Sequence, residues 1–97
     1  MDDRTALLAR WNDLTRRVLP GMAGVERWPI RLDHCFMRVC LDHAVGDVWT
    51  AHIPRPAIAH MDAPTLARAV AIAYGICDQP DTLPALNHQS LVWRGKR

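Results

Sequence analysis

Between Asp33 and His43 the chain reads Asp33-His34-Cys35-Phe36-Met37-Arg38-Val39-Cys40-Leu41-Asp42-His43, which gathers imidazoles, thiols, carboxylates and a guanidinium in one short stretch. His34, Arg38 and Asp42 fall at i, i+4 and i+8, a spacing that lines the three side chains along one stripe of a helix. On such a stripe Arg38 suits the clamping of a carboxylate or other anion, His34 can give or take a proton near neutral pH, and Asp42 can orient one of them. The same residues also fit a solvated face on which Arg38 and Asp42 form an ion pair worth ~0.3–0.5 kcal/mol. Trp28 and Trp49 stand just outside the two ends of this helix, placed to wall a pocket, and Arg55 follows in the next loop. The candidate ligand-binding set is therefore Trp28, His34, Arg38, Asp42, Trp49 and Arg55.

Other chemistries are less well served. As metal ligands the stretch offers His34, Cys35, Cys40 and His43, but on a helix Cys35 and Cys40 are about 140° apart and cannot chelate one ion. Only Cys40 and His43 share a face, and two further ligands, such as Cys77 and His60, would have to come from elsewhere. No metal site is assigned. Cys35 falls on an apolar face, where a thiol behaves as a small hydrophobe of raised pKa. No G-x-S-x-G, P-loop, G-x-G-x-x-G or H-E-x-x-H is present, so the sequence assigns neither a catalytic residue nor a cofactor. The three cysteines cannot all pair and are expected as reduced, mostly buried thiols. The C-terminal run from Ser90 to Arg97 is basic with one aromatic, suited to phosphate contact and stacking, and equally to a solvated helix end. Asn87 and Ser90, at i and i+3 in an apolar helix, are placed to bridge helices internally.

These residues need helices to position them. Leu7, Leu8, Trp11, Leu14, Val18 and Leu19 trace one face of a first helix from about Asp3 to Leu19, with Asp2 and Asp3 at its positive end and Arg16 and Arg17 at its negative end. Pro20-Gly21 is expected to stop it, with residues 20–29 as a loop. A second helix from Ile30 to Val45 carries Leu32, Cys35, Phe36, Val39, Cys40 and Ala44 on its apolar face and ends at Gly46. Asp47 to Ile53 suits either a short turn or an extended segment, and Ile53-Pro54-Arg55-Pro56 is irregular. Asp62-Ala63-Pro64 restarts a helix with Asp as N-cap and Pro in the first turn. Leu66, Ala69, Val70, Ala73, Tyr74 and Cys77 make this third helix the expected central one, since its alanines allow close approach. A fourth starts near Asp81 or Thr82, carries Pro84 in its first turn, and runs through Leu86, Ser90 and Trp93 to Gly95. Trp11 and Trp93 fall on core stripes. No segment alternates as a strand does. The expectation is an all-α single domain over residues 1–97, a compact bundle of about four helices with a long Pro-containing loop between the second and third.

Composition narrows the function classes. At 97 residues the chain has room for one core, and 49% hydrophobic with 23% charged residues is a globular balance. A net charge of +2 is too small to mark a nucleic-acid binder, and the excess of arginine lies toward the two ends, away from the stripe. No apolar run approaches the roughly 18–20 residues of a membrane span, and the acidic start differs from a signal peptide, so a cytoplasmic location without membrane contact is expected.

The run from Trp28 to Arg38, with Asp42-His43-Ala44-Val45-Gly46, Trp49, Arg55-Pro56-Ala57, Leu86-Asn87, Ser90-Leu91 and Trp93-Arg94-Gly95, resembles a group of short uncharacterised bacterial proteins that carry the label GNAT-type N-acetyltransferase. The resemblance covers most of the chain and implies acyl-group transfer from acetyl-CoA on a mixed α/β fold. No Gly-rich stretch precedes a helix here, so no residue of the acetyl-CoA loop is carried over. The residues themselves lead to a small cytoplasmic helical binding module, recognising an anionic small molecule or a protein partner through the second helix and the loop after it. The alternatives are an acyltransferase-like enzyme with His34 or His43 as base and, further off, a nucleic-acid-binding protein.

Overall fold

Pro20 lies inside a helical stretch instead of ending it, and the backbone before it shows how. In the computed structural model, which describes residues 3–95, helix α1 spans Asp3–Asp13, α2 spans Leu19–Glu26, and the intervening Leu14–Val18 is π-helical. A proline ring collides with the carbonyl four residues back and offers no N–H to the ladder. Wider i→i+5 bonding, seen where the Leu19 N–H donates to the Leu14 carbonyl, relieves that collision and lets the helical stretch continue. The buried Thr15 hydroxyl donates to the Trp11 carbonyl at 2.7 Å within the same turn. The expected stop at Pro20-Gly21 and the loop over residues 20–29 are thus corrected. The helix ends instead at Arg27, whose left-handed φ of 57° closes it with an N–H to the Ala23 carbonyl.

Helix α3 spans Asp33–Val45 and stops where expected, at Gly46, whose φ of 75° lets its N–H reach the Asp42 carbonyl at 2.8 Å. Phe36, Val39 and Cys40 are fully buried along it, whereas Leu32 is extended backbone before the helix and stays 58% exposed. The link to the next long helix holds a 3-10 turn at Trp49–Ala51 and the short α4 at Ala57–His60, so the ambiguous segment after Asp47 resolves as a turn. Helix α5, Ala63–Asp78, begins as its sequence requires: Asp62 accepts the Thr65 N–H at 2.9 Å and Pro64 occupies the first turn. After a 3-10 turn at Pro80–Thr82, α6 spans Leu83–Trp93.

All regular structure among the described residues is helical, and α2 and α4 are additional to the helices read from periodicity. Helix α5 packs against both α1 and α3 through Leu66, Ala69, Ala73 and Ile76, all fully buried, while Tyr74 faces outward. Burying each large side chain of this set is worth about 1.5–3 kcal/mol. The Arg68 Nε–H donates to the Ala44 carbonyl at 3.0 Å, placing a cation at the negative end of α3. Helix α6 packs on α3, and this contact carries the polar residues considered next. No helix among the described residues is long and apolar enough to cross a membrane. Asp2 of the expected first helix, and Lys96 and Arg97 of the basic C-terminal run, lie outside the described residues.

Candidate functional site

The stripe on α3 divides into two parts, one structural and one facing a cavity. Asp42 is fully buried and accepts four hydrogen bonds. Its Oδ2 receives the Ser90 hydroxyl at 2.6 Å and the Arg94 Nε–H at 2.8 Å, and its Oδ1 receives Arg94 Nη2 and the Trp49 backbone N–H, both at 2.9 Å. One carboxylate therefore ties together α3, the turn at Trp49 and the end of α6. The fork of Arg94 matches the carboxylate in two parallel bonds, so the Asp42 charge is neutralised in place.

Ser90 relays this network to Arg38. A guanidinium can only donate and a carboxylate can only accept, so the hydroxyl takes a hydrogen bond from Arg38 Nη1 at 2.7 Å while giving its own proton to Asp42. Arg38 Nη2 donates to Asn87 Oδ1 at 2.6 Å. Asn87 and Ser90 thus bridge α6 to α3, and the expected direct pair between Arg38 and Asp42 is replaced by Ser90 standing between them. Arg38 is half-buried, its two side-chain partners are neutral, and among the described residues no carboxylate lies within ion-pair distance of it.

Arg38 faces a cavity of about 360 Å³ between α1, α3 and the link that carries α4. Trp11, Met37, Leu41, Pro56, Ala57 and Ile58 form its apolar walls, and Trp49 adds an indole. His34, Arg38 and Arg55 supply its polar groups, with no Asp or Glu among the lining residues. The Arg55 guanidinium carbon lies 5.5 Å from the centre of the Trp49 ring, a cation–π contact worth about 0.5–1 kcal/mol at an exposed site. At the rim, the Asp33 carboxylate accepts the His34 backbone N–H and lies 3.5 Å from its ring Nδ1. Arg4 on α1 holds the α4 wall by donating to the carbonyls of Ile58 and Met61.

Four of the six candidate residues, His34, Arg38, Trp49 and Arg55, line this one cavity. The other two do not. Asp42 sits behind the wall with its oxygens occupied, and Trp28 belongs to the core. Trp28 is 4% exposed, packs edge-on to Phe36 at 5.6 Å and donates its indole N–H to the Pro80 carbonyl at 2.9 Å. That carbonyl lies 52 positions away in the chain, so the partner that draws this tryptophan inward is invisible to local pattern. The lining residues outside the candidate set are Trp11, Met37, Leu41, Pro56, Ala57 and Ile58. His34, Met37, Arg38 and Leu41 fall at i, i+3, i+4 and i+7, itself a helix face, and reading the apolar pair with the polar one would have marked the wall.

The remaining reactive side chains have structural surroundings. Burial pushes the Cys40 thiol up to about 12, with a smaller contribution from Cys77, which suits packing and not nucleophilic attack. Burial, and then the charge of Asp78, also raises Cys77. Cys35 is only half-buried, short of the expected core position. His43 donates Nε2–H to the Leu86 carbonyl at 2.8 Å and packs edge-on to the half-buried Trp93, which engages the ring of one of the two proposed bases. Among the described residues no three His, Cys, Asp or Glu side chains converge as a metal-binding group. Comparison of the chain with protein-family models, with curated proteins and with solved structures finds no match.

Proposed function

We propose that this chain is a small-molecule binding module that captures an organic anion in the cavity between α1, α3 and α4. The observation that carries the proposal is the charge of Arg38, half-buried, bonded only to neutral side chains and turned toward a cavity without an acid. A cation withdrawn from water without a counter-charge is costly, and an entering anion recovers that cost. Two of the five N–H groups of Arg38 are engaged by Ser90 and Asn87, which leaves three for a ligand and fixes the plane in which they point. Such anchoring reduces the ordering cost of binding. A charge-assisted hydrogen bond of this kind contributes about 1.5–3 kcal/mol. The cavity volume falls within the ~300–1,000 Å³ of small-molecule sites, and its concavity favours a small molecule over a protein partner.

Isothermal titration of the wild type and of Arg38→Gln with organic anions and their uncharged amides tests this. The expected result is saturable binding of an anion by the wild type, weakened about tenfold or more both by Arg38→Gln and by replacing the anion with its amide. Equal affinity for anion and amide, or equal affinity of the two proteins, contradicts the proposal. Acyl transfer, which the resemblance implies, expects instead a saturable change in tryptophan fluorescence on adding acetyl-CoA and turnover that depends on His34.

A further inference from the structure

Resting on that reading, the make-up of the cavity narrows the class of anion. Charge balance is the first constraint. Arg38 is the one lining cation held in place by two side chains, whereas Arg55 is exposed and lies over the Trp49 ring. A single fixed cation is matched by a monoanion. A phosphate monoester carries about −1.5 to −2 charges at neutral pH and three acceptor oxygens, so on this one guanidinium it would leave charge and acceptors facing apolar walls. A carboxylate has two oxygens in one plane, which a guanidinium fork covers in two parallel bonds.

The walls supply the second constraint. Trp11, Met37, Leu41 and Ile58 offer carbon and sulfur, against which only an apolar body gains by leaving water. Taking ~30 Å³ as the share of one water in the liquid, the cavity of about 360 Å³ equals about a dozen waters, room for a carboxylate and a body of about ten carbon atoms. We infer that the ligand is a compact amphipathic monocarboxylate, its carboxylate held by Arg38 and its apolar body against Trp11, Met37, Leu41 and Ile58.

Calorimetric titration of the full chain with 1-naphthoate, 1-naphthamide, 1-naphthyl phosphate and acetate tests the inference, with Arg38→Lys and Ile58→Asp as variants. Arg38→Lys keeps the charge but loses the planar fork. Ile58 sits on the exposed short helix, so Ile58→Asp places a repelling carboxylate on the wall without opening the core. The expected result is saturable binding of 1-naphthoate, at least ~10-fold tighter than the amide, the phosphate or acetate, and weakened about 10-fold by each variant. Naphthyl phosphate binding as tightly as naphthoate would overturn the carboxylate assignment and leave the anion reading standing. Acetate binding as tightly would overturn the apolar body alone. Unchanged affinity in Ile58→Asp would remove the body from this wall. Equal binding of the amide, or no binding by any probe at millimolar concentration, would overturn both the inference and the reading beneath it.

Discussion

Replacing Asp42 by alanine removes the point at which three segments meet, and its cost follows from what is left behind. The Arg94 side chain is 23% exposed, so most of a guanidinium stays inside without a counter-charge. Breaking a buried pair in this way costs about 3–5 kcal/mol, and the partial exposure of Arg94 places the loss near the lower end. The Trp49 N–H also loses its acceptor, worth a further ~1–3 kcal/mol unless water replaces the carboxylate. A total of about 3–6 kcal/mol is a large part of the roughly 5–15 kcal/mol that holds a domain of this size. At about 4–8 °C per kcal/mol, the melting temperature should fall by more than ~12 °C. Urea unfolding followed by circular dichroism measures the loss, and a cycle with Arg94→Ala and Asp42→Ala/Arg94→Ala isolates the pair. A coupling of about 1–3 kcal/mol is expected, because removing both partners leaves no isolated charge. A loss below ~1 kcal/mol for Asp42→Ala, or strictly additive single variants, would refute the role assigned to this carboxylate.

Three further outcomes are expected. Alkylation with iodoacetamide at neutral pH, read by peptide mass spectrometry, should modify Cys35 and Cys77 well before Cys40, whose thiol is buried and pushed up to about 12; rapid labelling of Cys40 in the folded protein would contradict this. Hydrogen bonds from the Thr65 hydroxyl and N–H hold the Asp62 carboxyl below its ordinary value of 3.8, so its contribution is complete above that value and is lost as pH falls through the lower folded one. Asp62→Asn should therefore show a shallower acid decline in urea midpoint than the wild type, and parallel declines would remove Asp62 from the acid response. Arg55→Ala should leave the urea midpoint within ~0.5–1 kcal/mol of the wild type, since only an exposed cation–π contact is lost. A larger loss of stability would place Arg55 in the packing.

Local pattern sufficed where the governing partner is near in sequence. Gly46 closing α3, Asp62 capping α5 and Pro84 in the first turn of α6 are each set within a few residues, and each lies where periodicity placed it. The stop at Pro20 failed because a π-helical turn accommodates a proline that an α-helical ladder would not. The stripe of His34, Arg38 and Asp42 was visible, but its division was not. Asp42 turns structural because Arg94 and Ser90 reach it from 52 and 48 positions away, contacts set only when α6 packs on α3. Trp28 is drawn into the core for the same reason, through Phe36 and the Pro80 carbonyl. Arg38 was found as a cation, yet what makes it stand out, neutral partners and an acid-free cavity, belongs to tertiary structure alone.

The most direct test of the account reads the arginine side chains themselves. Nitrogen-15 spectra of the Nε–H groups, assigned by single Arg→Lys variants, can be followed while 1-naphthoate is added. The Arg38 resonance should move and saturate, while that of Arg94, already bonded to Asp42, stays still. Movement confined to exposed arginines such as Arg17, with Arg38 unmoved at saturation, would contradict an anion site at Arg38.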